Sequence, residues 1–391
     1  MRSAAVPLAL ATLTALHAAA CASPAATDAR CGGVSFDRPV LVLEHGSQTS
    51  ALGRLSGRCL EELPPDGVLG QDQALLDAHG RPFVGVNTDG SLRALDPTTL
   101  KITRNIVAYP DQPGTSQVPH SLYGVDTDAA GDLWVSRDDV SSLAIFARDG
   151  ALAGTVDLAS LDAKFGNPRT NGLLIEGPTA FVALGFLATP FARPHADLAW
   201  RAGAIARVDV ATRKILSTID LVGHNPVRRL VPIDATGKVV IVATPGVHDE
   251  VAPADGIDRV DLEAGTATQL IGEAELGGSV DEVVWGGEHE AYAIVLGPQP
   301  GLNPTRIVAF DPAPAADHKV RTLAEAPWFA DHVNGQAYVH TGLALDGAYL
   351  LVGDQTQQHT RIRVFSRATG VEQPSLPTTN GAPTALLAIA P

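Results

Sequence analysis

Between residues 121 and 159 the chain reads SLYGVDTD, DLWVSRD, SLAIFARDG and ALAGTVDLA, four short apolar runs separated by tight polar turns. The same order of strand, turn, strand, loop, strand, turn and strand returns at 72–109, 169–221, 228–275, 278–327 and 338–379, giving six full copies. A four-stranded antiparallel sheet of roughly 40 to 55 residues cannot bury its own faces, so the copies must stack on one another around an axis. The repeat therefore predicts an all-β chain folded as a β-propeller. PVLVLEHG and TSALGRLSG near the N-terminus lack a leading strand, and PTALLAIAP at the C-terminus lacks followers. Joined, these pieces complete a seventh blade and leave no blade without a neighbour. The expected architecture is a seven-bladed propeller of four-stranded antiparallel blades over residues 39–391, closed by N- and C-terminal strands sharing one blade. Length alone would allow two or three domains, but no linker-like stretch divides this region.

Ahead of the repeats, residues 1–20 read as an export signal: one cation at Arg2, an apolar stretch from Ala4 to Leu16, then small residues. The stretch is too short to span a bilayer. Ala18-Ala19-Ala20-Cys21 resembles the bacterial lipoprotein box, which implies acylation of Cys21; ordinary cleavage after the alanines is the alternative. Residues 21–38 then form a tether and N-terminal segment. With Cys21 lipidated, Cys31 and Cys59 remain as an even pair in an oxidising compartment, where a disulfide is expected and two buried thiols are the alternative. The chain is thus expected to be exported, as a membrane-anchored lipoprotein of the bacterial cell envelope or a periplasmic or extracellular protein. Its membrane contact would run only through Cys21.

A formal charge of -15, from 43 acidic against 28 basic residues, argues against nucleic acid as a partner. The acidic residues are scattered, as on a solvated surface. A monomer is expected.

The turns between third and fourth strands carry a family resemblance. Asp96-Pro97-Thr98-Thr99-Leu100-Lys101, Asp209-Val210-Ala211-Thr212-Arg213-Lys214 and Asp261-Leu262-Glu263-Ala264-Gly265-Thr266 resemble the D-x-x-T-G-K-V turn of YncE-like, YVTN-type exported propellers. Gly223 and the following His224-Asn225-Pro226 resemble the G-x-x-P that leads into a blade there. The resemblance implies the propeller fold and a bacterial envelope or exported protein. The turn residues themselves need no ligand, because Asp, Thr and Gly satisfy local backbone donors in tight turns.

Loops from second to third strand, and from one blade to the next, share one face of a propeller. Here they are long and varied, whereas the opposite turns are terse, so the long-loop face is the candidate for binding an envelope protein or a small ligand. Near the axis on that face fall His120, Arg169, Asn171, His224, Asn225, Arg228, Asp281, Glu282, Asp331, His332, Asn334 and Asn380. A water-filled channel would want the same polar lining without any ligand. The 187–202 loop, with Phe191, Pro194 and Trp200, offers an apolar partner surface, while Trp134 and Trp285 fall on strands and are expected in the core. No cofactor is expected, and binding or scaffolding is favoured over catalysis. TNGLLIEG at 170–177 resembles the P-N-G segment of gluconolactonase-like propellers, which implies an alternative: a metal-dependent hydrolase with Asn171, Asp281 and Asp331 holding a divalent cation such as calcium.

Overall fold

The computed structural model describes residues 30–45, 50–62, 73–111, 121–187, 201–246, 252–297, 305–313, 317–326, 340–355, 360–378 and 382–389. Six four-stranded antiparallel sheets follow one another, with strands ordered as in the chain. Their inner strands are Gln73–Ala78 in blade 1, Leu122–Thr127 in blade 2, Thr170–Glu176 in blade 3, Val227–Pro232 in blade 4, Ser279–Gly287 in blade 5 and His340–Asp346 in blade 6. Blade 7 closes the ring: the C-terminal strand Ala382–Ala388 lies innermost, beside Arg30–His45, with Ser50–Glu62 beyond it. Successive inner strands touch in ring order, and Ala382–Ala388 touches both Gln73–Ala78 and His340–Asp346. The expected seven-bladed propeller is therefore the observed fold, with three strands described in the closing blade.

The burial pattern follows each strand's place in its blade. Second strands lie between neighbouring blades on both faces and read as unbroken apolar runs, such as TAFVAL at 179–184 and VVIVAT at 239–244. Outer strands keep one wet face, so ITRNIV at 102–107 is mostly exposed. The core is correspondingly a set of layers between blades. One layer packs Trp134, Leu143 and Ile145 of blade 2 against Leu173, Val182 and Ala206 of blade 3.

The inner strands carry the devices that hold one blade to the next. A carboxylate near the axis takes backbone amides of the following blade: Asp126 accepts from Ile175, and Asp346 from Asp37 and Arg38. Register shifts mark the start of the inner strand in blades 2 to 6. Asn171-Gly172 falls at one of them, so this pair bulges a strand rather than forming a turn. A Cβ on Gly172 would sit 2.5 Å from the Arg228 carbonyl of blade 4. Close approach of two inner strands, not turn geometry, demands glycine there.

The seam between chain ends is made by backbone pairing, with Val40 opposite Ala388 and Val42 opposite Leu386. Cys31 and Cys59 face each other in the register of the N-terminal hairpin. A bridge between them would tie two strands of blade 7 together, away from the seam itself. No described helix is long and apolar enough to cross a membrane. Residues 1–20, Cys21 and the greater part of the tether lie outside the described residues.

Candidate functional site

A cavity of 340 Å³ lies on the axis, lined by residues from all seven inner strands and the turn after the first. Its lining comes mainly from the middle and C-terminal part of those strands, including Val125 and Asp126, Val231 and Pro232, Val284 and Trp285, and Ala388. That is the side of the terse first-to-second strand turns. The wall is predominantly apolar; its charged or titratable side chains are Asp77, His79, Asp126 and Arg229, together with the Tyr123 phenol.

All of these groups but Arg229 lie on blades 1 and 2, and Arg229 stands on blade 4, next to the blade of Trp285. Asp77 and His79 end the inner strand of blade 1, and Asp126 stands beside them on blade 2. His79 Nε2 lies 3.0 Å from Asp126 Oδ1, with the imidazole half-exposed and the carboxylate buried. His79 adopts φ +49°, a left-handed conformation in the tight turn with Gly80. Burial pushes the Asp77 carboxyl above its usual range, opposed by the Gly80 amide and by the charges of Arg229 and His79. Burial raises Asp126 too, against the amides of Ile175 and Thr127 and the charge of His79, and Asp77 adds to the rise. Arg229 of blade 4 has Glu282 of blade 5 at 3.8 Å. Across the ring from blades 1 and 2 stand Trp285, Leu343 and Leu345. Trp134 is core, as expected, and donates from Nε1 to Asp128 at 3.1 Å. Trp285 departs from expectation: it is half-buried, packs on one core layer and lines the cavity.

Among the residues singled out from the sequence, Arg228 meets Asp281 at 3.0 Å beside the Arg229–Glu282 pair, joining blades 4 and 5. Arg169 is bound to Asp138, whose carboxyl burial pushes up to about 6. His224 bonds Asp255 through Nδ1 at 2.8 Å, and Asn225 donates to the Gly246 carbonyl. Arg169, Asn225 and Arg228 all have positive φ, so the strand starts bend sharply around them. Asn171 is buried, and its carbonyl accepts from Ser136 of blade 2. His120, Asp331, His332, Asn334 and Asn380 lie outside the described residues, as do residues 188–200. Of the trio suggested for a metal, Asn171 is on blade 3 and Asp281 on blade 5, where it is engaged by Arg228. Among the described residues, no three His, Cys, Asp or Glu side chains gather to hold a metal ion. Asp96, Asp209 and Asp261 cap their own turns: Asp96 Oδ1 accepts from the amides of Thr98 and Thr99, and Asp209 Oδ1 from both donors of Thr212.

No family model and no curated protein matches the chain. Among solved structures, it is similar to hydrazine synthase of Kuenenia stuttgartiensis at 15% identity and a TM-score of 0.53, covering 80% of this chain and 87% of that one. It is similar to the dihydro-heme d1 dehydrogenase NirN at 15% identity and a TM-score of 0.51, covering 92% and 68%. At such identity the common property is the fold, which hosts unrelated functions.

Proposed function

We propose that this protein is an exported, lipid-anchored β-propeller of the YncE-like kind that acts as a binding protein in the bacterial cell envelope. It holds a small ligand in the axial cavity and offers its long-loop face to an envelope partner. The observation that carries the reading is the cavity: 340 Å³ of mostly apolar wall with Asp77, His79, Asp126 and Arg229 converging on it. Small-molecule sites are typically about 300–1,000 Å³, largely apolar, with a few placed polar groups. The signal-like N-terminus and the lipoprotein-box resemblance at Cys21 support the envelope placement, and the Cys31–Cys59 register suits a disulfide formed there.

The test is the melting temperature of the protein against a panel of cationic, neutral and anionic small molecules. A compound that binds only the native state must raise it. At least one compound should do so by several degrees, and the shift should vanish in Leu345→Trp, which enlarges a side chain in the cavity wall. A panel without shifts, or shifts indifferent to Leu345→Trp, would overturn the reading.

A further inference from the structure

We propose that the axial cavity selects small apolar organic cations, the ammonium group meeting Asp77 and Asp126 on blades 1 and 2 while the apolar body lies against Trp285 and Leu345 across the ring. The proposal rests on the cavity being a ligand site and adds the class of ligand.

Charge is the first ground. The cavity wall holds two carboxylates and one guanidinium. That guanidinium, Arg229, already has Glu282 at 3.8 Å, and its neighbour Arg228 is taken by Asp281 at 3.0 Å. The positive charges near the axis are thus answered from blade 5. Asp126 is held by two backbone amides and by His79. Asp77 has no cation within ion-pair distance among the described residues, although it is partly removed from water. The charges of Arg229 and His79 act on it without reaching ion-pair contact, and a desolvated carboxylate with no cation in contact is the group a ligand cation stabilises most.

Shape supplies the second ground. Asp77, His79 and Asp126 lie on the adjacent blades 1 and 2, Arg229 stands apart on blade 4, and the wall facing the carboxylates includes Trp285, Leu343 and Leu345, with Ala388 from the closing blade. An inorganic cation would leave this wall against water, and a hydrocarbon would leave Asp77 with the Gly80 amide but no cation in contact. A molecule carrying both an ammonium and an aryl or alkyl body satisfies both sides. The face of Trp285 also attracts a cation that passes near it. A cavity of 340 Å³ takes on the order of ten non-hydrogen atoms, at about 30 Å³ each. The protein's charge of -15 raises the local concentration of cations and lowers that of anions.

Isothermal titration of the protein with 2-phenylethylammonium tests this, using 2-phenylethanol and 3-phenylpropionate as neutral and anionic counterparts of similar size. The ammonium should bind with a Kd on the order of 0.1 mM, at least about tenfold tighter than either counterpart. Asp77→Asn should weaken the ammonium by about tenfold and leave 2-phenylethanol unchanged. Leu345→Trp should abolish binding of every probe that enters the cavity. The proposal is overturned if a counterpart binds as tightly as the ammonium, or if Asp77→Asn leaves ammonium affinity intact. In either case, loss of binding in Leu345→Trp would still uphold the cavity as a ligand site. Silence from all three probes also overturns the cation class, and the wider melting panel then decides separately whether the cavity binds anything.

Discussion

Arg137 is the most informative place to perturb the scaffold. Its side chain is fully buried where blade 2 meets the end of blade 1. Nε donates to the Ser142 carbonyl at 3.2 Å, Nη1 to the Ala108 carbonyl at 3.2 Å, and Nη2 to Ser142 Oγ at 2.6 Å. Both terminal nitrogens grip Asp111, at 2.5 and 3.1 Å, and the guanidinium lies 5.2 Å from the Tyr109 ring centroid. Arg137→Met keeps the volume of the stem and removes every donor. Breaking a buried pair from one side costs about 3–5 kcal/mol. Asp111 remains 24% exposed, so water can reach it and the low end applies, about 3 kcal/mol. With an unfolding entropy of about 2.1 cal/mol/K per residue over roughly 350 residues, that loss lowers Tm by about 4 °C. Calorimetry and urea unfolding followed by tryptophan fluorescence read the two quantities. Adding Asp111→Asn should recover part of the loss, because the stranded charge disappears. An Arg137→Met protein melting within about 1 °C of the parent would refute the argument that this network fastens blade 1 to blade 2.

Three further outcomes follow from other sites. Gly342 has φ +67°, and an added Cβ would lie 2.6 Å from the Leu386 amide of the closing blade; Gly342→Ala should cost about 2 kcal/mol in urea unfolding. Burial pushes the Glu273 carboxyl up to about 8, outweighing its bonds with Ser279 and the Ala252 amide. A raised folded pKa gives stability that is complete below the ordinary glutamate range and lost as pH rises towards 8; Glu273→Gln should flatten that decline in unfolding midpoints measured from pH 5 to 9. Reduction of the protein should lower stability by about 3 kcal/mol if Cys31 and Cys59 are bridged, and intact mass before and after alkylation counts the thiols and shows any acyl group on Cys21.

The blades were legible because each strand announces itself locally. Apolar runs such as VVIVAT and turns such as Asp96-Pro97-Thr98-Thr99 carry their own geometry, and the capping bonds of Asp96 to Thr98 and Thr99 realise it. The shared closing blade was legible from the strands missing at each end. The cavity was not. Asp77 and His79 sit at a terse turn of blade 1, Arg229 on blade 4 and Trp285 on blade 5; only closure of the ring assembles them, and no spacing in the sequence records that. Asp77-x-His79 beside a strand end was the available signal, and it has the look of an ordinary polar turn. The role of Gly172 was illegible for a related reason. This glycine answers to the backbone of blade 4, some 56 residues further along the chain.

The most direct test of the axial site is a crystal structure of the protein grown with 2-phenylethylammonium. An ordered ligand on the axis is expected, with its nitrogen within hydrogen-bonding distance of the Asp77 carboxylate and its ring against Trp285. A cavity filled by its own side chains, with Arg229 turned onto Asp77 and no ligand between the blades, would contradict it.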